Sequence, residues 1–137
     1  MLRVAILIVS VALVSCHGNF MYEIPNGREV EHPCIPNLRW LAVGHNDRID
    51  GNSGLNVFGE DFIRNNYQWD KELCMTDSDK DGKTNGEELG DPSCIWNNSG
   101  GRYVIIPLPG PKGHPGICEP VGSPVCSFQN YSCRTYR

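Results

Sequence analysis

The longest apolar run opens the chain, where Met1-Leu-Arg-Val-Ala-Ile-Leu-Ile-Val-Ser-Val-Ala-Leu-Val-Ser-Cys-His-Gly sets a basic residue ahead of a hydrophobic stretch and small residues behind it. That order is a secretory signal, too short to span a bilayer, so residues 1–18 are expected to be removed and the mature chain to begin near His17 to Asn19. Further on the apolar positions thin out. Leu38-Arg-Trp-Leu-Ala-Val43 predicts a short strand that stops at Gly44-His45, before a loop rich in glycine and asparagine through Gly54. Phe58, Phe62, Tyr67, Trp69 and Leu73, with polar residues between them, predict two short helices interrupted near Asn65-Asn66, with Asp61 and Asp70 as candidate caps. Arg102-Tyr-Val-Ile-Ile106, β-branched and aromatic, predicts a strand closed by the prolines at 107, 109 and 111.

With 15 Gly and 10 Pro in 137 residues, the chain is one small loop-rich domain whose core needs covalent support. Cysteine supplies it. Seven are present, and once Cys16 is assigned to the signal six remain, at 34, 74, 94, 118, 126 and 133. In an oxidising compartment these read as three disulfides, for which sequence alone permits about 15 pairings. A zinc site competes weakly, because no Cys-x₂-Cys or close Cys/His pair occurs. His45 reads as a loop histidine hydrogen-bonded to backbone rather than a ligand.

One polar stretch carries chemistry. In Asp77-Ser-Asp-Lys-Asp-Gly-Lys-Thr-Asn-Gly-Glu-Glu88, oxygen-bearing side chains recur at positions 1, 3, 5, 9 and 12 with glycine at position 6. A loop winding round Ca²⁺ supplies its oxygens in this pattern: Asp77, Asp79 and Asp81, the carbonyl of Lys83, Asn85 directly or through water, and bidentate Glu88. Asp70-Lys-Glu-Leu-Cys-Met75 is then the entering helix. Asn85 to Leu89 opens an exiting helix that Gly90-Asp91-Pro92 stops after little more than a turn. A single hand with so short an exit cannot open a groove as paired sensor hands do, so the expected role of the ion is structural. The predicted fold is a small disulfide-rich α+β domain: short helices around one EF-hand-like calcium loop, with a few short strands.

Charge and motif absences narrow the function. Removing Arg3 with the signal changes 12 basic and 16 acidic residues to 11 and 16, about −5, with no basic cluster for nucleic acid or anionic membrane. There is no Gly-x-Ser-x-Gly, no His-Glu-x-x-His and no phosphate loop, so an enzyme is not expected. Sequons at Asn97 and Asn130 are expected on the surface. Trp40, Trp69 and Trp96 are expected in the core.

Several motifs in order carry a resemblance: Ile24-Pro-Asn-Gly27, Pro33-Cys34, Trp40 with Val43-Gly-His45, Asn56-Val-Phe-Gly59 with Asp61-Phe62, Trp69 with Lys71-Glu-Leu-Cys74, the acidic loop, Leu89-Gly-Asp-Pro92 with Cys94 and Trp96, and His114-Pro-Gly-Ile-Cys118. Over residues 24–118 the chain resembles the temptin family of secreted molluscan water-borne pheromone proteins. The resemblance implies a domain over 19–118, a tail over 119–137 outside the family pattern, and a monomer acting with a small secreted peptide pheromone of the attractin kind in mate attraction. It also implies a Cys74–Cys94 pair clasping the loop, leaving Cys34 with Cys118 and Cys126 with Cys133. Two other readings stand beside it. One is a calcium-stabilised matrix or adhesion module. The other is a copper enzyme or carrier using an N-terminal His17 with His45 or His114.

Overall fold

The computed structural model describes residues 20–49, 51–97 and 107–133. The signal segment and the strand expected over 102–106 lie outside the described residues. A 3-10 turn, Phe20–Tyr22, leads into a two-stranded antiparallel sheet of β1 (Glu31–His32) and β2 (Ile35–Arg39), followed by α1 (Val57–Arg64), α2 (Lys71–Met75) and α3 (Asn85–Glu88). The strand expected over Leu38–Val43 therefore sits earlier. Leu38 and Arg39 end β2, and Trp40 leaves the sheet to be fully buried, its N–H donating to the carbonyl of Val30 at 2.8 Å. Burying a large indole from a two-stranded hairpin requires the chain to turn inward, which ends the strand.

The two short helices form on either side of Asn65-Asn66 as their apolar spacing dictates. Asp70 caps α2, accepting from the N–H of Leu73 at 2.9 Å. Asp61 caps nothing: it lies inside α1, which is capped instead by Asn56, whose Oδ1 accepts from Gly59 at 2.9 Å. An amide suits that position better than a carboxylate. While its oxygen caps the helix, the Asn56 Nδ2 donates to the carbonyls of Val43 and His45 at 2.8 and 3.0 Å, fastening the helix start to the preceding loop.

The core is one cluster of Ile24, Val30, Trp40, Val43, Phe58, Phe62, Leu73, Leu89 and Ile117, with Phe20, Trp69, Val121 and Tyr131 packed on its edge. Of the three tryptophans only Trp40 is fully inside, and Trp96 is half-buried outside the cluster. Asp91 orders that neighbourhood. Fully buried, it accepts from the Trp69 indole at 3.2 Å and from the N–H groups of Ile95 and Trp96 at 2.9 and 3.2 Å.

Three disulfides close the molecule: Cys34–Cys133, Cys74–Cys94 and Cys118–Cys126. The expected Cys34–Cys118 and Cys126–Cys133 bonds are replaced. Tight turns after Pro120 and Pro124, with N–H to carbonyl bonds from Ser123 to Pro120 and from Cys126 to Ser123, fold the tail back so that Cys126 meets Cys118 with Cα atoms 5.5 Å apart. Tyr131, packed edge-on to Trp40, brings the end of the tail to the hairpin and Cys133 to Cys34. The residues at 119–133 are thus stapled into the domain rather than appended to it. Among the described residues no helix is long and apolar enough to cross a membrane.

Candidate metal centre

The acidic loop is wound by its own backbone. Asp77 Oδ2 accepts from Gly82 at 3.0 Å, Asp79 Oδ1 from Asp81 at 3.3 Å and Asp81 Oδ1 from Lys83 at 2.9 Å. Gly82, at φ +96°, makes the turn that a side chain would strain. These bonds turn the three aspartates inward, so that one carboxylate oxygen from each of Asp77, Asp79 and Asp81 lies within 4.8 Å of the others. Lys83 reaches over the trio, its ammonium 3.4 Å from Asp81 Oδ2. Burial works against that charge, yet Asp81, Glu88 and Glu119 hold its pKa above the ordinary lysine value.

Glu88 stands outside the tight trio and completes the acidic set. Its residue is fully buried and neither carboxylate oxygen has a hydrogen-bond partner. Burial first, and then the charges of Asp79 and Asp81, push its pKa up to about 10. Asp79 is raised to about 7 by the same causes, burial ahead of Asp81 and Asp77. Asp77 Oδ1 and Asp79 Oδ2 are likewise buried and unpartnered. A protein interior does not ordinarily leave four carboxylate oxygens without donors, and each unmet group is costly. Hard-oxygen chemistry of this kind suits a divalent cation, Ca²⁺ above all. The residues present fit that ion.

The short exit helix is fixed at both ends. Thr84 caps α3 in a reciprocal box, its hydroxyl accepting from Glu87 at 3.2 Å while the Glu87 carboxylate accepts from the Thr84 N–H at 2.7 Å. Beyond the helix, the Glu88 carbonyl accepts from the N–H groups of Lys112 and Gly113 at 2.7 and 3.3 Å. Gly113 packs closely on that carboxylate: a Cβ there would stand 2.7 Å from Glu88 Oε1 and displace it.

Asn85, expected among the ligands, is used differently. It is fully buried, its Nδ2 donating to the Leu73 carbonyl at 2.8 Å and to the Ser78 hydroxyl at 3.0 Å, while Oδ1 accepts from the Ser78 N–H at 3.4 Å. The amide pins the exit helix to the entering one. Ser78 continues the brace outward, donating 2.7 Å to Asp61, which also pairs with Arg64. Two carboxylates outside the loop pattern join the region without having been legible in it: Asp61 through Ser78, and Glu119 from the C-terminal segment.

The remaining expected residues are separate from this centre. Asn97 and Asn130 are exposed. His114 is fully buried edge-on to Trp40 at 4.9 Å, its Nδ1 accepting from Gly116 at 3.1 Å, and burial lowers its pKa to about 3. Such a ring is closed to copper arriving from solvent. His17 lies outside the described residues.

Fold and site define a class: a small disulfide-rich module, stapled by three bonds around a loop of convergent aspartates. Comparison with known proteins makes the class specific. The model of the temptin C-terminal family matches residues 14–117. Temptin of Aplysia californica is 42% identical over 108 residues, 79% of this chain and 82% of that protein. No solved structure matches. The chain belongs to the temptin family.

Proposed function

We propose that this protein is a secreted, non-enzymatic calcium-binding component of a water-borne pheromone, presenting a rigid surface to a small secreted peptide of the attractin kind. Family membership supports the signalling role. One observation carries the ion: the fully buried carboxylate of Glu88, both oxygens unpartnered, standing in the field of Asp79 and Asp81. Asp77, Asp79, Asp81, the Lys83 carbonyl and Glu88 would hold Ca²⁺, with Asn85 bracing the loop behind them. When bound, the ion neutralises charges that otherwise repel within a desolvated loop. The chain's own work is to keep those oxygens convergent through Gly82, the Asn85 clasp and the Cys74–Cys94 bond. Exposed sequon asparagines at Asn97 and Asn130 are consistent with an extracellular surface. An apolar recess of about 340 Å³ between the 3-10 turn and α1, walled by Phe20, Ile24, Val43, Phe58, Phe62 and Tyr67, supports peptide capture.

Titration calorimetry on the mature, disulfide-intact protein tests the ion. Calcium is expected to bind once, with a dissociation constant of about 10⁻⁴–10⁻³ M, and magnesium poorly because it demands octahedral geometry. Glu88→Gln keeps the shape, removes the charge and should abolish most of the binding. Silence of the wild type at several millimolar calcium would refute the reading of the loop. Affinity capture from the secreting gland tests the partner: a small secreted peptide is expected, and recovery of matrix polymer alone would make this a matrix module instead.

A further inference from the structure

Two carboxylates meet the Gly113-His114 peptide. Glu88 packs against Gly113, where a Cβ would stand 2.7 Å from its Oε1, and Glu119 Oε1 accepts from the next N–H, that of His114, at 2.8 Å. The segment is itself tied to the exit helix, since Lys112 and Gly113 donate to the Glu88 carbonyl. Glu119 is thereby carried to the side of Glu88, both of them outside the tight aspartate trio. Among the described residues it forms no ion pair with a lysine or arginine.

The loop, meanwhile, lacks the contribution its ninth position was expected to make. Asn85 directs its amide to Leu73 and Ser78, so one oxygen of the expected set is withdrawn. We propose that Glu119 is a further calcium-holding carboxylate, reaching the ion from the C-terminal segment in the place that Asn85 leaves. The proposal rests on the calcium reading above. It is more than an acidic cluster, because the centre also contains Glu88, fully buried with both oxygens unpartnered. Ligands then come from two stretches of chain, and the ion fastens the turn bearing Cys118–Cys126 to the loop bearing Cys74–Cys94. A local loop site would stabilise only itself; a bridging site couples calcium to the docking of the tail.

Glu119→Gln separates a ligand from a structural acceptor, because the amide oxygen can still receive the His114 N–H. Calorimetry should show calcium affinity weakened about tenfold or more, as loss of one ligand charge implies. In chelator at pH 8 the variant should melt at the same temperature as the wild type or higher, since a carboxylate has left a mutually repelling set. Hydrogen exchange supplies the second readout: calcium should slow exchange of amides in residues 112–126 of the wild type, and much less so in Glu119→Gln. Binding within twofold of the wild type would overturn the proposal while leaving the calcium site standing. A wild type that binds no calcium would overturn both.

Discussion

The Nδ2 of Asn85 lies 2.8 Å from the carbonyl of Leu73, joining the exit helix of the acidic loop to its entering helix through one buried side chain. A ligand at this position would reveal itself in calcium affinity. A clasp reveals itself in stability. Asn85→Ala removes three hydrogen bonds from a fully buried site, so it should cost roughly 2–3 kcal/mol with or without calcium. Thermal melting in calcium and in chelator checks this: both midpoints should fall by similar amounts, on the order of 10 °C in a domain this small. Glu88→Gln should behave oppositely, losing the calcium-dependent increment and keeping the chelated midpoint.

The ion-free protein should lose stability as the solution becomes alkaline. Glu88, with a folded pKa of about 10, and Asp79, at about 7, both lie above the ordinary carboxylate range. A carboxylate whose folded pKa is raised binds its proton more tightly folded than unfolded, so its contribution is complete below the unfolded pKa and fades as pH rises to the folded value. His114 acts in the other direction. Its folded pKa of about 3 means the neutral ring favours the fold above the unfolded value near 6.5, and this is lost as pH falls between the two. In chelator the two carboxylate slopes together outweigh that of His114, so stability should be greatest near pH 4 and decline from about pH 5 towards pH 9, at about 1.4 kcal/mol per unit for each group titrating. Saturating calcium should flatten the alkaline limb and leave the acid limb unchanged. Melting curves across pH 3–9, with calcium or chelator, decide it.

Disulfide removal should rank by the length of chain each bond closes. The separations are 99 residues for Cys34–Cys133, 20 for Cys74–Cys94 and 8 for Cys118–Cys126. In the chain-entropy model the outer bond contributes about 4.7 kcal/mol and the shortest about 2.5 kcal/mol. Paired Cys→Ser variants measured in denaturant should follow that order, with the Cys74/Cys94 pair also weakening calcium binding because it buttresses α2 and the chain after α3. Peptide mapping of the non-reduced protein should return these three pairs and no free thiol.

Much of the local architecture could be read from residue order, because it depends on contacts a few positions apart. Asp70 capping α2, the break at Asn65-Asn66 and the stop at Gly90-Asp91 are of this kind. The misplaced features depend on distant partners. Asn56 outcompetes Asp61 as a cap because its amide also reaches Val43 and His45. Asn85 turns from the loop centre because Leu73 offers a carbonyl behind it. Of the expected sulfur pairs Cys74–Cys94 forms, and the other two failed for the same reason. Nothing near Cys133 in the chain announces that Tyr131 will pack on Trp40 and carry it to Cys34. Glu119 was invisible as a site residue because it belongs to no loop pattern and arrives only through the docking of Gly113 and His114.

The three sulfur bonds are arranged like brackets: the bond from Cys34 to Cys133 encloses the other two, which follow one another without crossing. Nothing has to be threaded through a closed ring for all three to form. The same arrangement governs how the molecule comes apart. A single protease cut anywhere between Cys34 and Cys133 leaves both fragments on one covalent frame, so losing a piece of that stretch takes two cuts or a reductant. As the secreted messenger proposed above, the protein would keep its acidic loop through the first such cut.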